Sequence, residues 1–177
     1  WDKVFPQSNK VIHEKVTFRN RYGIMLAADM YIPKNAGGKL AAIAVSGPFG
    51  AVKEQSSGLY AQTLAERGFL TIAFDPSYTG ESGGQPRYVA SPDINTEDFC
   101  AAVDFLSTLD DVDPERIGIL GICGWGGMAL NAAAMDTRIK ATVTSTMYDM
   151  SRVNANGYFD AMDADQRYEL RRQLNAQ

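Results

Sequence analysis

The sequence contains very little of what metal sites and disulfide scaffolds require. It has one histidine, His13, and two cysteines, Cys100 and Cys123, in 177 residues. Zinc sites use closely spaced cysteine and histidine ligands, and the chain has no C-x-x-C pair. Two cysteines are also too few for a disulfide scaffold. We therefore expect no metal and no cofactor, and we expect both cysteines to be unpaired.

The chain also lacks a cluster of basic residues and a long apolar run. Its 17 Lys and Arg residues are scattered apart from Arg171 and Arg172, and its formal net charge is −4. Nucleic acids require clustered cations, so we expect no nucleic-acid partner. No run reaches the ~18 apolar residues of a membrane-spanning helix, so we expect no membrane partner. The start at Trp1 has no apolar signal stretch; we expect a cytoplasmic protein, and an exported form with a removed signal is the alternative.

The remaining composition predicts one domain of the α/β class. Hydrophobic residues make up 45% of the chain, which is enough for one real core. Residues 11–18 and 24–32 are rich in β-branched and apolar residues around a turn at residues 20–23, which predicts an N-terminal antiparallel hairpin. Apolar runs then predict strands at residues 40–45, 69–74, 116–120 and 141–147.

Helical patterns separate these strands. The first predicted helix is capped by Ser56 or Ser57, the second by Asn95, and the third covers residues 128–135. Alternating strands and helices predict a mostly parallel sheet with helices on both faces, a three-layer α/β/α sandwich. We assign residues 1–153 to this core and the charged residues 154–177 to the start of a helical lid or cap.

The run Gly-Ile-Cys-Gly-Trp-Gly-Gly at residues 121–127 follows a predicted strand and precedes a predicted helix. This pattern is typical of a nucleophile elbow, a sharp and strained turn that needs glycines beside the nucleophile. The N-terminus of the helix would favour a thiolate at Cys123. The alternative is a small buried cysteine in a glycine-rich crossover. The agreement of strand, glycines and helix favours the nucleophile.

At these residues the sequence resembles the α/β-hydrolase superfamily, and within it the dienelactone-hydrolase-like branch, in which cysteine replaces serine at the elbow. The motifs that carry the resemblance are the hairpin, residues 45–50, residues 52–55, Phe74-Asp75 with residues 80–84, and Gly121-Ile122-Cys123. The resemblance covers nearly the whole chain. It implies that Asp75 orders the loop at residues 79–84.

The resemblance also implies an oxyanion hole, which needs two N–H donors. One donor is on the residue after the nucleophile, here Gly124, and the other is in the loop after the third strand. Pro48 has no N–H, which leaves Phe49 or Gly50, and we favour Phe49. Trp125 and Tyr148 are candidates for the wall of a substrate pocket, although such aromatics more often belong to the core.

A hydrolase of this kind needs an acid and a histidine after the nucleophile. No histidine follows Cys123, and the fold places His13 in the hairpin. We therefore expect the chain to be the N-terminal part of a longer polypeptide, inactive alone, with the missing C-terminal portion as its partner.

For the complete protein we expect hydrolysis of a small-molecule ester, lactone or thioester. The alternative is a non-catalytic α/β-hydrolase-like binding or interaction domain. An oligomer is a further expectation, because an unfinished sheet would expose an unpaired edge.

Overall fold

A mixed six-stranded sheet organises residues 1–147. The computed structural model describes all residues from Trp1 to Gln177. Its contacts divide the chain into two units, Trp1–Met147 and Tyr148–Gln177. From the sequence we predicted that the core ends at residue 153, whereas the first unit ends at Met147, shortly after the last strand.

The strands and helices of the first unit follow the predicted order. The strands are β1 (Val11–Arg19), β2 (Met25–Pro33), β3 (Leu40–Ser46), β4 (Leu70–Phe74), β5 (Val112–Ile122) and β6 (Ile139–Ser145). The helices are α1 (Ser56–Ala65), α2 (Pro92–Ser107) and α3 (Trp125–Met135). The third helix begins three residues earlier than predicted, so it starts directly at the elbow.

The strand order in the sheet is β1-β2-β4-β3-β5-β6. The hairpin strands pair antiparallel, β2 also pairs antiparallel with β4, and the pairs β4–β3, β3–β5 and β5–β6 are parallel. In the centre, Ala44 lies beside Ile72 of β4 and Ile119 of β5. The carboxyl ends of β3, β4 and β5 therefore meet at one edge, which is where α/β proteins place their sites.

Two apolar clusters cover the two faces of this sheet. One joins Phe74 of β4 and Ala44 of β3 to residues of α2 and α3, including Phe99 and Met128. The other joins neighbouring strand residues such as Val45 to Ala61 and Ala65 of α1. Successive strand residues point to opposite faces, so an unbroken apolar run is what a doubly covered strand requires. The predicted three-layer α/β/α sandwich is confirmed.

The start of α2 differs from the prediction. The helix begins at Pro92, with Ser91 as the residue before it, because proline is well suited to the first turn. Asn95 is therefore inside the helix rather than at its cap. It is fully buried, and its side-chain oxygen accepts a hydrogen bond of 2.8 Å from the Ser91 amide. The asparagine still satisfies an amide near the helix start, but from within the first turn.

The second unit contains α4 (Met150–Asn156), a short 3-10 helix (Tyr158–Asp160) and α5 (Ala164–Leu174). Aspartates cap both α-helices: Asp149 accepts from the Arg152 amide, and Asp163 forms a capping box with Gln166. No residue of these helices is fully buried within the structure. Across the whole chain, no helix has the length and the apolar character needed to cross a membrane.

Candidate active site

Cys123 lies at a sharp bend between β5 and α3. Strand β5 ends at Ile122, and α3 begins at Trp125. The backbone of Cys123 has a φ of +58°, in the left-handed region that residues with a side chain rarely adopt. Its amide donates to the carbonyl of Ser145 at 2.8 Å, and its carbonyl accepts from the Gly126 amide at 3.0 Å. These two hydrogen bonds hold the bend from both sides.

Two glycines allow the chain to pass close to this bend. A Cβ on Gly121 would lie 2.3 Å from the carbonyl oxygen of Trp125. A Cβ on Gly47, whose φ is +97°, would lie 2.4 Å from the carbonyl oxygen of Ile122. Both contacts are with backbone atoms, which cannot move aside like a flexible side chain. The end of β3 and the start of α3 thus pack directly on the elbow because these positions lack a side chain.

The two cysteines have different surroundings. Cys123 is half-buried and packs at the margin of the cluster that contains Val45 and Leu120. Cys100 is buried in α2, and burial, with the nearby negative charge of Glu97, raises the pKa of its thiol to about 11. Both are free thiols. The sequence treated both as unpaired, and the structure adds that the Cys100 thiol is strongly held in its protonated form.

Three amides beside the elbow are free to donate. Neither the Phe49 nor the Gly124 amide donates a hydrogen bond to a carbonyl or side chain of the protein. The Gly50 amide is equally free, so the hydrogen bonding leaves both candidates from this loop open. The ring of Phe49 lies edge-on to Trp125 with 5.5 Å between the ring centroids. The loop after β3 thus reaches the first turn of α3, as an oxyanion hole would require.

Asp75, directly after β4, ties two loops together. One carboxylate oxygen accepts from the Lys53 amide at 2.7 Å. The other accepts from the Glu81 amide at 2.9 Å and from the Lys53 ammonium at 3.1 Å. Asp75 is fully buried. The expectation that it orders the loop at residues 79–84 is confirmed, and the structure adds that it also anchors the loop that carries Phe49.

Lys53 is a site residue that the sequence analysis missed. Its side chain is almost fully buried and is paired with the carboxylates of Glu54, Asp75 and Glu81. Burial disfavours its charge, but hydrogen bonds to Glu54 and Glu81 and the charge of Asp75 outweigh burial and raise the pKa of Lys53 above its ordinary value. Residues 52–55 are one of the motifs that carry the resemblance, but their sequence does not predict that the Lys53 side chain is buried against three carboxylates.

His13 is not brought to the elbow. It lies on the edge strand β1, where its Nε2 is 2.8 Å from a carboxylate oxygen of Asp29. Strand β1 is at one end of the sheet, and β5 and β6 are at the other. The position of His13 in the N-terminal hairpin is as expected from the sequence, and within this chain Cys123 has no histidine beside it.

The fold and the strand–bend–helix unit define an α/β-hydrolase fold. The sequence profile of the X-Pro dipeptidyl-peptidase (S15) family matches residues 22–175, and the chain belongs to this family. The resemblance to α/β-hydrolases is therefore confirmed.

Several proteins are similar to the chain. The uncharacterized protein PA2218 of Pseudomonas aeruginosa is 71% identical over 178 residues, which cover 100% of this chain and 48% of that protein. Protein YcjY of Escherichia coli is 45% identical over 84% of this chain and 50% of its own length. The thiohydrolase aneE of Aspergillus aculeatus is 32% identical over 75% of this chain and 41% of its own length. The chain thus spans about half the length of these relatives.

Two solved structures match the fold. The crystal structure of PA2218 superposes with a TM-score of 0.97 over 100% of this chain and 56% of that chain. A putative dienelactone hydrolase of Klebsiella pneumoniae has a TM-score of 0.64 at 21% identity, over 78% of this chain and 61% of that chain. At this identity the second match concerns the fold alone. The family and the fold are hydrolase-like, and the chain shares its α/β fold with the protein named as a putative dienelactone hydrolase.

Proposed function

We propose that the protein containing this chain hydrolyses a small ester, lactone or thioester and that the sulfur of Cys123 is its nucleophile. The observation that carries the proposal is the left-handed backbone of Cys123 between β5 and α3. A non-glycine residue in this conformation costs about 1–3 kcal/mol, and such strain persists mainly at functional sites. A purely structural cysteine would not need this bend.

The surroundings of the sulfur suit a negatively charged nucleophile. Cys123 lies just before α3, an 11-residue helix whose first amides point toward the bend. The partial positive charge at a helix N-terminus favours an anion there. The thiolate attacks the carbonyl carbon of the substrate, and the resulting oxyanion accepts from the free amides of Gly124 and Phe49.

The leaving alcohol or thiol departs as the carbonyl re-forms, which leaves an acyl group on the sulfur. Water then attacks the carbonyl carbon of this thioester, the bond between that carbon and the Cys123 sulfur breaks, and the products are the carboxylic acid and the free thiol. Protons pass through a histidine paired with an acid, which we place in a part of the polypeptide outside these residues. The similarity to a protein named thiohydrolase supports a thioester or ester substrate.

The proposal is tested with the complete protein and matched cysteine variants. With a small acyl thioester and the corresponding ester as substrates, Cys123→Ala should lower kcat/KM by at least about 1,000-fold, because the nucleophile is lost. Cys100→Ala should leave the rate unchanged, since that thiol is buried in α2. Hydrolysis by Cys123→Ala at the rate of the unaltered protein would refute the proposal.

A non-catalytic binding domain is the second candidate function, because His13 lies on the far edge strand β1 and contacts Asp29 of β2 instead of Cys123. The two candidates differ in one measurement. If the complete protein binds a small ester but does not hydrolyse it, the binding domain is favoured and the hydrolase is wrong.

A further inference from the structure

We propose that a cleft beside the elbow binds an uncharged aromatic or branched apolar group of the substrate. The cleft has a volume of about 290 Å³ and lies between the loop after β3, the loop after β4 and the first turn of α3. Its side chains include Phe49, Val52, Thr79, Tyr88, Val89 and Trp125. This inference rests on the proposed function and deepens it by naming a substrate class.

The lining of the cleft contains no carboxylate, ammonium or guanidinium group. Phe49, Val52, Val89 and Trp125 offer apolar surface, and the hydroxyls of Thr79 and Tyr88 are the polar side-chain groups of the lining. Ligand pockets have volumes of roughly 300–1,000 Å³ and apolar walls with few polar groups, and this cleft lies at the lower end of that range. A charged group would lose its hydration here without gaining a partner, so the cleft selects for a neutral, compact apolar group.

Trp125 is the one buried residue of the lining. The residue is 3% exposed, and its indole N–H is buried without any hydrogen-bond partner. Buried N–H groups are normally paired, because an unpaired one has lost water and gained nothing in return. Because this N–H has almost no accessible surface, a ligand in the cleft meets the ring of Trp125 and not its N–H.

The position of the cleft connects it to the reacting centre. Phe49 contributes its ring to the lining, while its amide is one of the proposed oxyanion donors. Trp125 directly follows Gly124, whose amide is the other proposed oxyanion donor. Cys123 itself does not line the cleft. The cleft therefore binds a substituent of the substrate beside the carbonyl that is attacked.

The outer wall of the cleft is already ordered. The Arg87 guanidinium donates to the carbonyls of Gly80 at 2.7 Å and Ser82 at 2.5 Å. The Tyr88 amide donates to the carbonyl of Tyr78 at 2.9 Å, and the Tyr88 side chain is 88% exposed at the rim. Because hydrogen bonds within the loop hold this wall, binding does not have to order it.

Binding is measured first, without turnover, in the complete protein carrying Cys123→Ala. Phenylacetamide should bind at least about tenfold more tightly than acetamide by titration calorimetry, because only the first fills an apolar cleft. Val89→Asp in the same background should weaken phenylacetamide binding at least about tenfold, since it places a charge in the lining. The control is Val4→Asp, the same change at a valine that is 75% exposed and outside the cleft, and it should have no effect.

Turnover then identifies which part of the substrate occupies the cleft. Methyl phenylacetate and benzyl acetate are isomers that carry the ring on the acyl side and on the alcohol side. Val89→Asp should lower kcat/KM for one of them about tenfold more than it lowers kcat/KM for methyl acetate, because methyl acetate has no group for the cleft.

The proposal is overturned if phenylacetamide binds no better than acetamide, as it would if another segment of the polypeptide filled the cleft. It is also overturned if Val89→Asp and Val4→Asp behave alike. Binding as expected without hydrolysis of any ester or thioester would support the cleft and refute the proposed hydrolase, so the two failures are distinguishable.

Discussion

The reactivity of the two cysteines provides a quantitative test of the site. The perturbation is brief treatment of the folded protein with iodoacetamide at pH 8. The reactive species is the thiolate, so the pKa of each thiol sets much of its rate. With a pKa of about 11, roughly one Cys100 in a thousand is ionised at this pH.

An ordinary thiol with a pKa near 8.5 is about one-quarter ionised at pH 8, which is roughly 240-fold more. A more basic thiolate is also intrinsically more nucleophilic, which reduces the expected difference in rate about tenfold. Ionisation alone therefore makes Cys100 about 20-fold slower than an ordinary exposed thiol. Its 9% exposure slows it further. If Cys123 is an accessible nucleophile, it should react at least about 20-fold faster than Cys100.

The assay is digestion followed by mass spectrometry of the two cysteine peptides over time. In urea both cysteines should react at rates within a few-fold of each other, which controls for the local sequence. If Cys100 is alkylated as fast as Cys123 in the folded protein, the reasoning fails. If both react slowly, the sulfur of Cys123 is not accessible and the nucleophile proposal loses its basis.

Three further predictions concern stability, measured by urea denaturation. Gly121→Ala should lower the free energy of unfolding by about 3 kcal/mol, because its Cβ would meet the backbone of α3, whereas Gly37→Ala should change it by less than about 0.5 kcal/mol, since no atom lies within 4 Å. Asp75→Asn should cost about 3 kcal/mol, because it leaves the buried Lys53 ammonium and two amides poorly paired. Between pH 9 and about 11, the free energy of unfolding should fall by roughly 2 to 3 kcal/mol more than in Cys100→Ala, because the unfolded thiol ionises first.

Each of these has an outcome that contradicts it. Equal stability of Gly121→Ala and Gly37→Ala would mean that the contact of the elbow with α3 is not tight. Glu81→Gln removes the charge of a half-exposed partner of the Lys53 ammonium and should lower the free energy of unfolding by about 1 kcal/mol or less. An equal loss of stability in Asp75→Asn and Glu81→Gln would contradict the role assigned to Asp75. Identical pH profiles with and without the Cys100 thiol would show that its pKa is the same in both states.

The sequence by itself determined the class of fold and the position of the elbow. Both depend on local patterns: an apolar run of strand length is compatible with a strand covered on both faces, and glycines beside Cys123 permit a bend that other residues would strain. Element boundaries were less well determined. Helix α2 starts at Pro92, and Asn95, the predicted capping residue, lies inside its first turn, where the side chain accepts from the amide of Ser91, the residue before the helix.

The tertiary structure alone decided which loops meet. Strand β3 lies between β4 and β5, so residues far apart in sequence converge at one edge of the sheet. This order buries Lys53 against Asp75 and brings Phe49 to Trp125. It also keeps His13 at the opposite end of the sheet from Cys123. Such contacts have no local signature, because the strand order that creates them is set by packing and pairing over the whole sheet.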